Sequence, residues 1–168
     1  MILIWRLPQT ELINVNQHKR EGPVDNALAP TSPASKSPTV STADLRILAT
    51  SDLHMHVSAF DYYIDRVCFQ RGLAMTAGLI AQARAEAPNC LLFDNGDFLH
   101  GSPLGDHVTL SERFPHPMVA AMNSLGYDAV NLGNHEFSHG VEFLLRSLKD
   151  ARFPGLSSNC FLHPGGRP

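Results

Sequence analysis

A chain of 168 residues is long enough for one domain with a real core and short for two. Hydrophobic residues make up 43%, charged residues 17%, and the formal net charge is −3, which places the chain with ordinary globular proteins and gives no basic footprint for a nucleic-acid polymer. No apolar run approaches the ~18 residues that span a bilayer. The cysteines Cys68, Cys90 and Cys160 form no C-x-x-C pair, which argues against a disulfide framework or a cysteine zinc site. Any anionic substrate must then be held by local chemistry. Nine histidines, six of them between His54 and His135, are the composition's pointer to a metal.

Residues 1–43 show no helical or strand period, and "GPVDNALAPTSPASKSPTVSTAD" is a Pro, Ser, Thr and Ala mixture with too little to bury. This stretch is expected to be a disordered leader or linker ahead of a domain over residues 44–168. The opening "MILIWRLPQTE" has five apolar residues before Arg6. That is fewer than the roughly 7 to 15 of a signal-peptide core, and no basic segment precedes them, so no ordinary leader is expected.

From Leu45 the pattern changes. "LRILAT" reads as a buried strand over 45–50 feeding the polar cluster "SDLHMH". Good helix formers then run over 72–87, with Leu73, Ala77, Ile80, Ala81 and Ala87 on roughly one face and Pro88 just beyond. A second buried strand follows at 90–94. Pro117 suits a first helical turn and Gly126 a C-terminal cap, with a third strand at "DAVN". A last helix lies in "GVEFLLRSLKDA" and a fourth strand near "GLSSN". This alternation predicts an α/β fold with a mainly parallel sheet, whose ligand sites lie outside the carboxyl ends of its strands. "SDLHMH", "DNGDFLHG" and "LGNHEFSHG" all sit at such ends and should converge on one rim.

Asp52 and His54 offer one oxygen and one nitrogen ligand two residues apart, a donor set that suits a divalent transition metal. Asp97, after Gly96, can bridge two ions. Asn134 can ligate a second ion without adding charge that repels phosphate, and His135 is then free to act on the substrate. Two ions ~3.5 to 4 Å apart can activate a shared water and clamp phosphate oxygens. Taken singly, D-x-H and G-D are common loop sequences. Glu136 can be a simple cap, Asp94 and Asn95 shape their loop, and His56, His100, His107, His116 and His139 read as exposed or hydrogen-bonded loop histidines. His18 and His163 lie outside the expected core.

D-x-H, G-D and G-N-H-E on successive strand ends resemble the calcineurin-like metallophosphoesterase superfamily. "TSDLHMHVSAFDYYIDR", "GLAMTAGLIAQARAEAPNCLLFDNGDFLHGSPLGD" and "HPMVAAMNSLGYDAVNLGNHEFSHGVEFL" look like its 2',3'-cyclic-nucleotide 2'-phosphodiesterase/3'-nucleotidase branch, over Leu45 to Cys160. The resemblance implies an α/β/β/α metallophosphatase sandwich and two divalent ions of the Mn, Zn, Co or Mg class. Asp52 and His54 match ligands of one ion, Asp97 the bridging ligand and Asn134 a ligand of the second. His135 matches the catalytic histidine at the leaving oxygen. The implied reaction opens a 2',3'-cyclic nucleotide to a 3'-nucleotide and then releases phosphate, in the periplasm, although the absence of an ordinary leader leaves the cytoplasm open.

The resemblance also implies further metal histidines in a downstream G-H-x-H motif and a nucleotide-binding domain, and neither is found in these residues. The chain is therefore expected to be the amino-terminal part of such an enzyme, binding metal weakly and turning over poorly by itself. A 5'-nucleotidase or UDP-sugar hydrolase is the alternative within the class, although those more often carry aspartate where Ser138 stands. A non-catalytic binding module on a phosphatase fold is the alternative outside it.

Overall fold

The computed structural model describes residues 3–6, 44–111 and 115–161, with backbone alone for the first of these. The bulk of the expected leader, and His18 and His163, lie outside the described residues. Within that leader, however, Leu3–Arg6 forms a strand, β1, where the sequence shows no period. It pairs antiparallel with β2, Arg46–Thr50, so backbone hydrogen bonding to a sheet edge supplies what periodicity does not.

The expected strands are present as β2, β5 (Cys90–Asp94), β6 (Ala129–Asn131) and β7 (Gly155–Leu156), all mutually parallel, in the sheet order β1-β2-β5-β6-β7. Helix α1, Leu73–Glu86, connects β2 to β5, and α3, Pro117–Leu125, precedes β6. Pro117 stands in the first turn of α3 as expected. Gly126 closes that helix in the left-handed region at φ 63°, where a side chain would be strained. Helix α4, Gly140–Leu148, leads to β7. Two elements went unread: the short hairpin of β3 (Phe60–Asp61) with β4 (Arg66–Val67), and α2, Pro103–Ser111. Each is too short or too weakly periodic to stand out in the sequence.

On α1 the buried positions are Leu73, Ile80 and Ala83, while Ala81 is exposed, which corrects the expected face. Residue 81 is turned ~100° from residue 80, whereas 83 and 84 return to the line of 80. The Arg84 guanidinium caps α3 from α1, donating to the carbonyls of Leu125 and, at 2.6 Å, of Gly126.

The core lies on one face of the sheet. Leu48, Leu92 and Val130 point there and pack with Leu73, Ile80, Met118, Met122 and Leu144. Ile47, Ala49, Leu91 and Phe93 alternate with those strand residues, are only partly buried and belong to no core cluster. The groove over that second face is lined by Ala49, Phe93, Ala129, Val130 and Leu156 with the strand-end residues, and by none of the described helices. Parallel sheets are ordinarily covered on both faces. Among the described residues the only other sheet is the two-stranded hairpin of β3 with β4, which does not line that groove.

An aliphatic face of this kind should make the 168-residue chain bind an apolar dye and self-associate. Leu91→Lys with Phe93→Ser should weaken self-association by about tenfold or more, given ~1.5–3 kcal/mol for each large apolar side chain buried. Sedimentation equilibrium with and without the substitutions measures this.

Candidate metal centre and its comparison with known proteins

Register alone brings three loops together. Thr50 stands opposite Asp94, and Asp94 opposite Val130, so β2, β5 and β6 end side by side and the residues after them leave one edge of the sheet. The first two loops are then tied by backbone bonds. Asp52 donates to Gly96 O at 3.1 Å, His54 to Asp97 O at 2.9 Å and Met55 to Phe98 O at 3.1 Å. Following these bonds forces Asp52, His54 and Asp97 into the left-handed region, at φ 56°, 43° and 64°. Each such residue costs on the order of 1 kcal/mol or more, and persists only where its surroundings over-determine it.

The strain has a geometric consequence. One ligand atom from each of Asp52, His54 and Asp97 lies within 4.8 Å of the others, a spacing that one metal ion can bridge. The ring of His54 is also set for this. Its Nδ1 lies 2.9 Å from the His100 carbonyl, which only accepts, so Nδ1 donates there, and in the neutral imidazole this leaves Nε2 as the ligating atom. That Nε2 is the atom 3.7 Å from Asp52 Oδ1. The donor set of two carboxylates and a neutral imidazole fits a divalent ion of the Mn or Zn class.

The third loop carries the other expected residues on a short 3-10 turn, Asn134–Phe137. Asn134 opens the turn and is exposed. His135 is half-buried, donates its backbone N–H to Asp97 Oδ1 at 2.9 Å, and sets its ring against that of His54 with centroids 5.1 Å apart. Gly96, at φ 101°, allows this approach, since a Cβ there would stand 2.5 Å from Gly133 N. Thus Asp52, His54 and Asp97 meet at one point, His135 leans on them, and Asn134 stands beside His135 at the rim.

Glu136 does more than cap its own turn. It is 1% exposed, and its carboxylate accepts four backbone N–H bonds. Oε2 receives Asp97 and Gly133, both at 2.7 Å, and Oε1 receives Phe98 at 2.7 Å and Leu99 at 3.1 Å. The G-x-x-E spacing signals the bond to Gly133, whereas the bonds to residues 97–99 cross from one strand end to another and leave no mark in local sequence.

Burial shifts the titration of Asp94 and His116. Burial pushes Asp94 up to about 6, against hydrogen bonds from Thr50 Oγ1 at 2.5 Å and Gly96 N at 2.8 Å that favour its charged form. Burial pushes His116 down to about 4. His116 is 1% exposed, and neither ring nitrogen has a partner among the described residues, which corrects its reading as an exposed or satisfied loop histidine. His107 is exposed on α2 as expected, and His100 and His139 hydrogen-bond each other.

Glu136→Gln replaces one oxygen by an amide that cannot accept the two N–H groups facing it. The expected loss is ~2–4 kcal/mol in urea unfolding, with Mn²⁺ affinity falling as the loop bearing Asp97 loosens. The pH dependence of stability tests the other pair. Asp94 holds its proton more tightly folded than unfolded, so its contribution is lost as pH rises from about 4 to about 6. His116 binds its proton less tightly when folded, so its contribution is lost as pH falls from about 6.5 to about 4. The two slopes oppose one another. Asp94→Asn should therefore leave stability climbing with pH by roughly 3 kcal/mol across that window, and His116→Phe should leave it falling by a similar amount. Denaturation at stepped pH measures both.

The calcineurin-like phosphoesterase pattern matches residues 45–166. A 2',3'-cyclic-nucleotide 2'-phosphodiesterase/3'-nucleotidase of Yersinia enterocolitica is 45% identical over 130 residues, covering 76% of this chain and 20% of the relative. The human 5'-nucleotidase is 35% identical over 127 residues, covering 73% of this chain and 21% of the relative. The crystal structure of the calcineurin-like phosphoesterase YfkN from Bacillus subtilis superposes with a TM-score of 0.64 at 44% identity, covering 68% of this chain and 36% of that one. The chain thus spans about a fifth of the length of the curated relatives just named. With the motif pattern, the ligand geometry and the parallel α/β sheet in agreement, the chain belongs to the calcineurin-like phosphoesterase family.

Proposed function

We propose that this chain carries the amino-terminal half-site of a dinuclear-metal nucleotide phosphoesterase that opens 2',3'-cyclic nucleotides to 3'-nucleotides and then releases phosphate. The observation that carries the reading is the three-ligand cluster of Asp52, His54 and Asp97 with the His135 ring against it. The order of identities supports the cyclic-nucleotide branch. Relatives bearing the 2',3'-cyclic-nucleotide name stand at 41% to 46%, and those named 5'-nucleotidase at 34% to 38%.

In this reading Asp52, His54 and Asp97 would hold one ion, and Asp97 with the neutral amide of Asn134 would serve the second. Bound divalent ions supply a water of lowered pKa and charge stabilisation at the phosphoryl oxygens. His135 holds the proton that the departing ribose oxygen takes up, and its backbone bond to Asp97 fixes its distance from the ligands. The His100 carbonyl keeps His54 in the tautomer that ligates. The uncharged Asn134 leaves room for the negative charge of the phosphate.

Among the described residues three side chains gather at one point, short of the four or more that a tight site uses. The 168-residue chain alone is therefore expected to bind Mn²⁺ in a single weak site, lost in Asp52→Ala and Asp97→Ala, as read by titration calorimetry. Two tight sites, or binding indifferent to both substitutions, contradict the ligand assignment. Turnover is read in a chimera whose residues 45–160 replace the matching stretch of the Yersinia enterocolitica relative. It should hydrolyse 2',3'-cyclic AMP and 3'-AMP in preference to 5'-AMP, and His135→Ala should lower kcat by about 100-fold or more. A preference for 5'-AMP overturns the assignment of the branch.

A further inference from the structure

The ring of His135 has little of its own to hold it. Among the described residues its side-chain hydrogen-bond partner is Ser138 Oγ, exposed and 3.4 Å from Nδ1, at the long limit for such a bond. A histidine ring held so loosely turns about its side-chain torsions. Yet this ring is enclosed. His100 stacks on it with centroids 5.4 Å apart and planes within 14°, and His54 meets it edge-on. His100 in turn is fixed by His139, whose Nε2 lies 2.9 Å from His100 Nδ1. Two facing ring nitrogens at that distance bond only when one donates and the other accepts, so the bond sets the plane of each ring. His139 rests edge-on against Phe143, 4% exposed on α4, at 5.2 Å between centroids. A continuous line of rings therefore runs from the buried face of α4 through His139 and His100 to His135.

We infer that His100 and His139 form a positioning pair for His135, holding its imidazole face by stacking so that its proton points at the departing oxygen. The inference rests on the proposed function for the role of His135, and on contacts alone for the pair. Neither residue is a metal ligand in the proposed set. The His100 contact to the metal site is through its backbone carbonyl, which every substitution retains. The side chain and the main chain of His100 thus serve two different histidines. The side chain can be changed without touching the bond that orients His54.

Two measurements test the pair. In the metal-free 168-residue chain, the ring Cε1–H of His135 should be displaced in the NMR spectrum by the stacked ring. His100→Ala and His139→Ala should return it toward the position of an exposed histidine, while His100→Phe, which keeps a flat ring, should preserve most of the displacement. A His135 signal that ignores His100→Ala overturns the inference. In the chimera, His100→Ala and His139→Ala should each lower kcat on 3'-AMP about tenfold with KM and Mn²⁺ affinity unchanged, and His100→Phe should recover most of it. The loss should shrink with p-nitrophenyl phosphate, whose leaving group needs little protonation. Equal losses on both substrates, or a fall in Mn²⁺ affinity, would mean a merely structural role and overturn the pairing with His135. If the unsubstituted chimera hydrolyses no nucleotide while the His135 signal follows the variants as stated, the proposed function fails and the positioning pair stands.

Discussion

The carboxylate of Glu136 is buried at the point where two strand ends meet, and each of its oxygens takes two backbone N–H bonds. A desolvated carboxylate is tolerated only when its lone pairs are filled, and here the filling comes from residues 97–99 of one loop and residue 133 of another. The donors at 97–99 lie beyond the end of β5 and the donor at 133 beyond the end of β6. Charge and orphan donors therefore satisfy each other, and in doing so they fix the distance between the loop bearing Asp97 and the turn bearing His135. The two loops also meet through the His135–Asp97 bond, the close approach of Gly96 to Gly133, a hydrogen bond from the Asn131 amide to the Asn95 carbonyl at 3.3 Å, and the His100 ring, which stacks on His135 and hydrogen-bonds to His139.

Around this joint the backbone accepts strain in a consistent place. Asp52, His54, Met55 and Asp97 all adopt positive φ, and all lie in the two loops that bond to each other through backbone amides. Aspartate and histidine tolerate the left-handed region better than branched residues do. The residue types that ligate are thus also types that the bend can accept. Rigidity of this kind serves a metal site, because ligands held in place before the ion arrives need no reordering when it binds.

The sheet beneath is asymmetric. Its helix-covered face holds the aliphatic core together with the buried chain of Tyr127, Thr50 and Asp94, in which the Thr50 hydroxyl donates to Asp94 and accepts from Tyr127 OH at 2.8 Å. Its other face carries the half-buried Ile47, Ala49, Leu91 and Phe93, and Ala49 and Phe93 line a groove that no described helix closes. The same strands therefore read as continuous apolar runs in sequence, as in sheets buried on both sides, while the described residues bury one side.

Local chemistry is what the chain's one dimension could determine. The strands at 46–50 and 90–94, the helix after Gly72, the Pro117 start and Gly126 stop, and the three polar clusters at strand ends follow from periodicity and from residues whose backbone preferences are intrinsic. That Asp52, His54, Asp97, Asn134 and His135 leave neighbouring strand ends was legible for the same reason, each lying within a few residues of a strand. The tertiary structure decided what depends on partners distant in sequence. Glu136 finds donors 37 to 39 residues away, His100 and His139 bond across 39 residues, and His116 is buried with its ring edge-on to Phe143 of α4. The pairing of Leu3–Arg6 with β2 is of the same kind. Hydrogen-bond satisfaction and desolvation are properties of a place in space, and neighbouring letters in the sequence carry no record of it.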